Sequence, residues 1–258
     1  MFFNTRCLFT LTALLALSAN ACSATGARLA RTNAQPASCA GGVIQTADDA
    51  ARFAGCTTVN GDLQIEGSQL SDLTALESLR NVSGTLTVSN NSELSDFTGL
   101  EQLSSVAGLD VHDNAALADF SGLSALRNAQ VVQIRNNPEL SSVRGLEGLQ
   151  RVEKLELTND ALFQIDGLSN LREVGELTVA GNERLISLHG LDGLKQARSV
   201  QIRNNPVLCA KLGFLRQLGK VDGGLVLSEN RSVSRSEIAT LREHVGAPFD
   251  QHAVVASR

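Results

Sequence analysis

Apolar residues return along this chain at a near-constant interval. The segments GDLQI, GTLTV, AGLDV, QVVQI, EKLEL, GELTV, RSVQI and DGGLVL share an apolar-x-apolar core. Its first members are Leu63, Leu86, Leu109, Val132, Leu155, Leu177, Val200 and Leu225, spaced by 23, 23, 23, 23, 22, 23 and 25 residues. A sustained period of this length marks a stack of repeating units rather than a chain folded once around a single core. Within each unit, alternation over five residues predicts a short strand with one buried face.

The remainder of the unit keeps the same register. Three residues after the second apolar position stand Asn91, Asn114, Asn137, Asp160, Asn182, Asn205 and Asn230, with Ser68 in the first coil. A side-chain amide at a fixed corner both donates and accepts, so it suits backbone groups left unpaired where the chain leaves a sheet. An apolar residue follows three further on (Leu94, Leu117, Leu140, Leu185, Leu208). Then comes a G-L-x-x-L-x-x-V run, as in Gly99-Leu100 with Leu103 and Val106, or Gly167-Leu168 with Leu171 and Val174. That spacing predicts a short helical or 3₁₀ return with its leucines inward. The expected fold is an α/β solenoid of about eight coils of about 23 residues, with a parallel sheet on one face. A single coil cannot cover its own apolar edge, so both ends need caps.

Cap signals flank the repeats. Thr46-Ala47-Asp48-Asp49 reads as a helix start, with Thr46 as N-cap, an acidic first turn and Ala50 to Phe53 as its body. Downstream, Ser234-Arg235-Ser236-Glu237 is a capping box opening a helix with Ile238, Leu241 and Val245 on one face, stopped by Gly246 and Pro248. The expected organisation is a signal peptide over 1–21, a flexible tether over 22–38, the solenoid with its N-terminal disulfide cap over 39–230, and a capping helix and tail over 231–258.

The start of the chain sets the compartment. After Arg6, the apolar run Cys7 to Ser18 suits a signal-peptide core and is too short to span a bilayer. It ends in Ser18-Ala19-Asn20-Ala21-Cys22, which admits two readings. Ala19 and Ala21 form a plain cleavage site, whereas Cys22 resembles the acylated cysteine of a bacterial lipobox and would anchor the chain to a membrane. Both imply export, to the cell envelope and an outer-membrane lipoprotein in one case, to secretion in the other. Export permits disulfides, and Cys39 and Cys56 are the natural pair in the segment before the repeats. Cys209 then has no obvious partner and is expected to fill a small apolar site, at the position held by Ser71, Ser95, Ala118 and Ser141 in other coils.

Composition narrows the function. The net charge is −5, with no basic footprint for nucleic acid. There is no Trp or Tyr, and three of the nine Phe lie in the first ten residues, so the core must rest on Leu, Val and Ile. No nucleophile elbow, phosphate loop, dinucleotide fingerprint or zinc-type Cys/His spacing occurs, and no metal or other cofactor is expected.

The opening Cys39…Cys56-Thr57-Thr58-Val59-Asn60-Gly61-Asp62-Leu63-Gln64-Ile65, the V-x-G-x-L-x-V-x-x-N-x-x-L repeats and the closing Asn205-Pro206-Val207-Leu208-Cys209 resemble the receptor L domain, the leucine-rich-like ectodomain unit of insulin- and EGF-type receptors. The resemblance covers roughly residues 39 to 230. It implies a right-handed superhelix with a parallel sheet and a Cys39–Cys56 disulfide. The receptors' Cys-rich module, second L domain and kinase do not follow, and hormone-contacting residues carry over to no position.

Outward strand positions form two columns, the default binding surface of a solenoid. One runs through Gln64, Thr87, Asp110, Gln133, Glu156, Thr178, Gln201 and Val226; the other through Glu66, Ser89, His112, Arg135, Thr158, Ala180, Arg203 and Ser228. The candidate ligand-binding residues are Gln64, Thr87, Asp110, His112, Gln133, Arg135, Glu156, Gln201 and Arg203. Arg135 and Arg203 are the strongest as anchors, although both lie in a duplicated heptamer, VQIRNNP, which internal copying alone would explain. The expected function is a cell-envelope binding module for a protein or glycan partner, with no enzymatic activity. The alternatives are a structural or surface-display protein, and more remotely a polysaccharide hydrolase using Asp110 and Glu156, or a Ser89–His112–Asp110 triad.

Overall fold

The computed structural model describes residues 37–209, 217–219, 221 and 223–230. The leader, Cys22, most of the tether and the C-terminal capping helix expected from sequence lie outside the described residues. The strands are β1 Ala37–Ile44, β2 Cys56–Glu66, β3 Asn81–Ser89, β4 Ser105–His112, β5 Val131–Arg135, β6 Arg151–Thr158, β7 Glu173–Ala180, β8 Gln196–Arg203 and β9 Leu225–Ser228. They form one sheet in chain order, every neighbouring pair parallel. The fold is a parallel β-solenoid of about eight turns with almost no helix.

Register follows the repeat residue for residue. Leu63, Leu86, Leu109, Val132, Leu155, Leu177, Val200 and Leu225 pair in succession. All are buried, as are the second apolar positions. The corner amides form a continuous ladder. Asn114 Oδ1 accepts from the Asn91 backbone N–H at 3.1 Å and from Asn91 Nδ2 at 3.0 Å, while Asn114 Nδ2 donates to the Val88 carbonyl at 2.9 Å. Ser68 ends the ladder, donating its hydroxyl to Asn91 Oδ1 at 2.6 Å. The residue before six of the eight corners is Asn90, Asp113, Asn136, Asn159, Asn204 or Glu229, all left-handed, with φ between 54° and 58°, and Gly67 and Gly181 precede the other two. Five of these six are Asn or Asp, the non-glycine types that adopt this conformation most readily.

The returns differ from a helical reading. Among the described residues only Thr74–Leu76 and Asp166–Leu168 are 3₁₀ segments; the other described returns are hydrogen-bonded turns. With about 23 residues per coil there is room for single turns, and Gly99, Gly122, Gly145, Gly167 and Gly190 seal five of them against the preceding coil, Ala75 holding that place in the first. Gly145 has φ 108°, and a Cβ there would run into the Phe120 carbonyl one coil earlier. Inside the returns Phe97 and Phe120 stack with centroids 5.1 Å apart, so two of the few rings form a shared core element.

The N-terminal cap contains one strand absent from the sequence expectation. Cys39 and Cys56 are disulfide-bonded, Cα atoms 6.0 Å apart, and the bond ties β1 to β2. The helix α1 spans Ala47–Ala51, shorter than expected, and is capped as read: Asp49 N–H donates to Thr46 Oγ1, and the Asp49 carboxylate accepts from the Thr46 N–H. Those bonds, led by the Thr46 hydroxyl, hold the Asp49 carboxyl below its ordinary range. One expectation needs correction. Cys209 is free and exposed rather than packed in an apolar site. Its column is a surface column, since Ser95, Ala118 and Ser141 are exposed too.

Candidate functional site

Pairing places the two outward columns as the alternation requires. Gln64, Thr87, Asp110, Gln133, Glu156, Thr178, Gln201 and Val226 lie side by side, and so do Glu66, Ser89, His112, Arg135, Thr158, Ala180, Arg203 and Ser228. Gln64, Thr87, His112 and Gln201 are half-buried members of this face, and Arg203 is exposed. Its centre is a polar network. Arg135 Nη2 donates to Asp110 Oδ2 at 3.2 Å, Gln133 Nε2 donates to Glu156 Oε2 at 3.0 Å, and Lys154 Nζ lies 3.2 Å from the same oxygen.

Electrostatics on this face favour fixed charge over proton transfer. Burial acts to raise the Glu156 carboxyl, but the Gln133 and Lys154 hydrogen bonds and the nearby cations outweigh it and bring it below its ordinary value. A general acid needs the opposite shift. Nor is the serine triad assembled: Ser89 is buried, His112 Nδ1 meets Asp113 Oδ2 at 2.7 Å, and Asp110 is engaged by Arg135. The His112 contact is the main reason that the Asp113 carboxyl is lowered.

The two arginines of the duplicated heptamer are not equivalent. Arg135 reaches diagonally to Asp110 on the preceding coil, where the counterpart for Arg203 is Thr178. Arg203 makes no ion pair among the described residues.

A second surface lies one bend upstream and escaped the sequence reading. Most strands begin before the five-residue repeat core, and pairing of β3 with β4 is irregular between Val82 and Thr85. Beside this bend runs a trough of about 1130 Å³. Its floor is Val82, Val106, Ala129, Val152, Val174 and Ala197, one residue from each of six consecutive coils. The flanking residues form two polar banks, with Asn81, Ser105, Asn128, Arg151, Glu173 and Gln196 on one side and Ser83, Gln130, Glu153 and Arg198 on the other. Early coils contribute amides and hydroxyls; later ones contribute ion pairs, Arg151 with Glu173 at 2.9 Å and Arg198 with Glu153 and Glu176. Hydrogen bonding to Glu153 is the main cause of the raised Arg198 pKa. The signal was present in the V-x-G-x-L spacing, which places a polar residue on each side of the first Val.

With the coil geometry and its disulfide opening established, the family comparison is informative. Residues 55–144 match the receptor L domain model. The matched stretch runs from Gly55, beside the disulfide, through β2, β3, β4 and β5. Strands β6 to β9 continue the same sheet beyond it in unbroken parallel pairing. Receptor L domains are ligand-binding modules, not enzymes. No curated protein matches the chain. The disulfide fits an exported protein, and no helix among the described residues is long and apolar enough to cross a membrane.

Proposed function

We propose that this protein is a cell-envelope binding module that holds an extended segment of a partner along the trough, with the neighbouring strand face as a second contact. The observation carrying this reading is the trough itself, a continuous concavity to which six coils each contribute a floor residue and polar flanks. At about 4.8 Å per coil, its floor runs on the order of 24 Å, the length of about seven extended residues. Banks of amides, hydroxyls and paired charges suit backbone and polar side chains. The trough and the strand columns offer no Phe, Tyr or Trp ring on which a sugar would stack, so a protein partner is favoured over a glycan. Export would place the module in the envelope, with Cys22 as its lipid anchor.

Capture of a partner from the producing cell's own surface tests the reading. The mature protein should retain a saturable partner. Glu153→Ala with Arg198→Ala should lose it at least tenfold without loss of folding, and Arg135→Ala with Arg203→Ala should weaken it less. Saturable capture unaffected by either pair would refute the assignment of both surfaces. N-terminal mass spectrometry tests the anchor, since an unmodified Cys22 would overturn it.

The second reading, a structural envelope protein without a specific ligand, is favoured by one observation. Many surface charges are already paired with each other, as in Arg135–Asp110 and Arg198–Glu153. It expects no saturable capture at all.

A further inference from the structure

One rung of the corner ladder has the wrong chemistry for its place. In the asparagine rungs Nδ2 donates to a strand carbonyl of the preceding coil: Val88 for Asn114, Val111 for Asn137, Leu157 for Asn182. By the same register the carbonyl facing Asp160 is Ile134. Asp160 fills its accepting role, taking the Asn137 backbone N–H at 2.8 Å and Asn137 Nδ2 at 3.0 Å on Oδ1. Its Oδ2 stands where the others carry an N–H donor, and it is buried without a partner. The next rung shows the same deficit. Asn182 Oδ1 accepts the Asp160 backbone N–H but has no side-chain donor from below, unlike Asn114 and Asn137.

Two acceptor oxygens therefore face Oδ2 across a joint only 4 % exposed. An ionised carboxylate there would leave Oδ2 beside two acceptors with no donor of its own. We infer that Asp160 is held as the neutral acid, its Oδ2–H donating to the Ile134 carbonyl or to Asn182 Oδ1, and that this proton locks the middle of the solenoid. Its loss loosens the joint between the coils of β5, β6 and β7.

Charged neighbours do not account for the effect. The next coil brings Glu183 and Arg184 to the shallow surface pocket beside Asp160. The preceding coil carries exposed Glu139, and Arg135, whose guanidinium is held by Asp110. Burial alone pushes the Asp160 carboxyl up, to about 7 from 3.8, against the pull of the two Asn137 donors. Because the folded value is the higher one, the stabilisation is complete below the unfolded value. It declines as pH rises and is exhausted above the folded value. The joint is tight in mild acid and weak in mild alkali.

Urea unfolding of the wild type and of Asp160→Asn between pH 4.5 and pH 8.5, in about equal steps, tests this. Asn supplies the missing donor without a titrating proton. The unfolding constant of the wild type should rise up to about tenfold per pH unit more steeply than that of Asp160→Asn below pH 7, and in parallel with it above. Parallel curves throughout would overturn the inference. Carbon NMR of the Asp160 carboxyl in the wild type gives a reading independent of the variant: a midpoint well above 3.8 supports the locked proton, and an ordinary midpoint refutes it.

Discussion

Replacing Asn114 by Ala removes one rung and leaves the strands untouched. Asn114 is fully buried and makes five side-chain hydrogen bonds. Three of the groups involved keep another partner: Asn91 Nδ2 still reaches the Ile65 carbonyl, the His112 carbonyl still accepts from the Asn90 N–H, and Asn137 Oδ1 still accepts from the backbone N–H of residue 114. The Asn91 backbone N–H loses its acceptor and the Val88 carbonyl loses the donor that Asn114 supplied. An unsatisfied buried polar group costs about 1–3 kcal/mol, so the pair amounts to roughly 2–6 kcal/mol before any cavity cost. Against a typical domain stability of about 5–15 kcal/mol this is a large fraction. The assay is urea unfolding at neutral pH under conditions that preserve the Cys39–Cys56 bond, comparing midpoints at constant slope. Asn114→Asp provides the internal control, because it recreates the chemistry of Asp160 and should cost less in mild acid than in mild alkali. A loss below about 1 kcal/mol for Asn114→Ala would refute the ladder as a source of stability.

Gly145→Ala should lower stability by at least about 2 kcal/mol, read as a fall in melting temperature, since it imposes a left-handed alanine and a clash with the Phe120 carbonyl. Cys39→Ser with Cys56→Ser should cost about 2–4 kcal/mol, and reductant should lower the wild-type melting temperature by a similar amount while leaving the double variant unchanged. The folded-state pKa of Glu156 is depressed, so its contribution is present above 4.5 and is lost as pH falls through the folded value. Glu156→Gln should accordingly flatten the acid limb of the stability profile, measured by urea midpoints below about pH 5.

Much of this fold was legible because each coil meets a near-copy of itself. Alternation tells which residues face inward, and a constant interval tells which residues lie side by side, so Leu63 through Leu225 and the amide corners align from the sequence alone. The Thr46 cap and the Cys39–Cys56 bond were likewise local readings. What escaped depends on neighbours that break the copy. Strand β1 lacks the repeat pattern and exists because it docks on β2. The trough arises where strands extend upstream past a bend, a feature of the stack and not of one coil. Identical heptamers place Arg135 against Asp110 and leave Arg203 opposite Thr178, a difference written in the adjacent coils alone. In the sequence Asp160 stands in line with the corner asparagines. Only stacking reveals that its second oxygen faces acceptors. Periodicity specifies which side chain meets which, because backbone pairing repeats at one spacing; the charge and proton state at each meeting are set by burial, which no single coil possesses until its neighbours close over it.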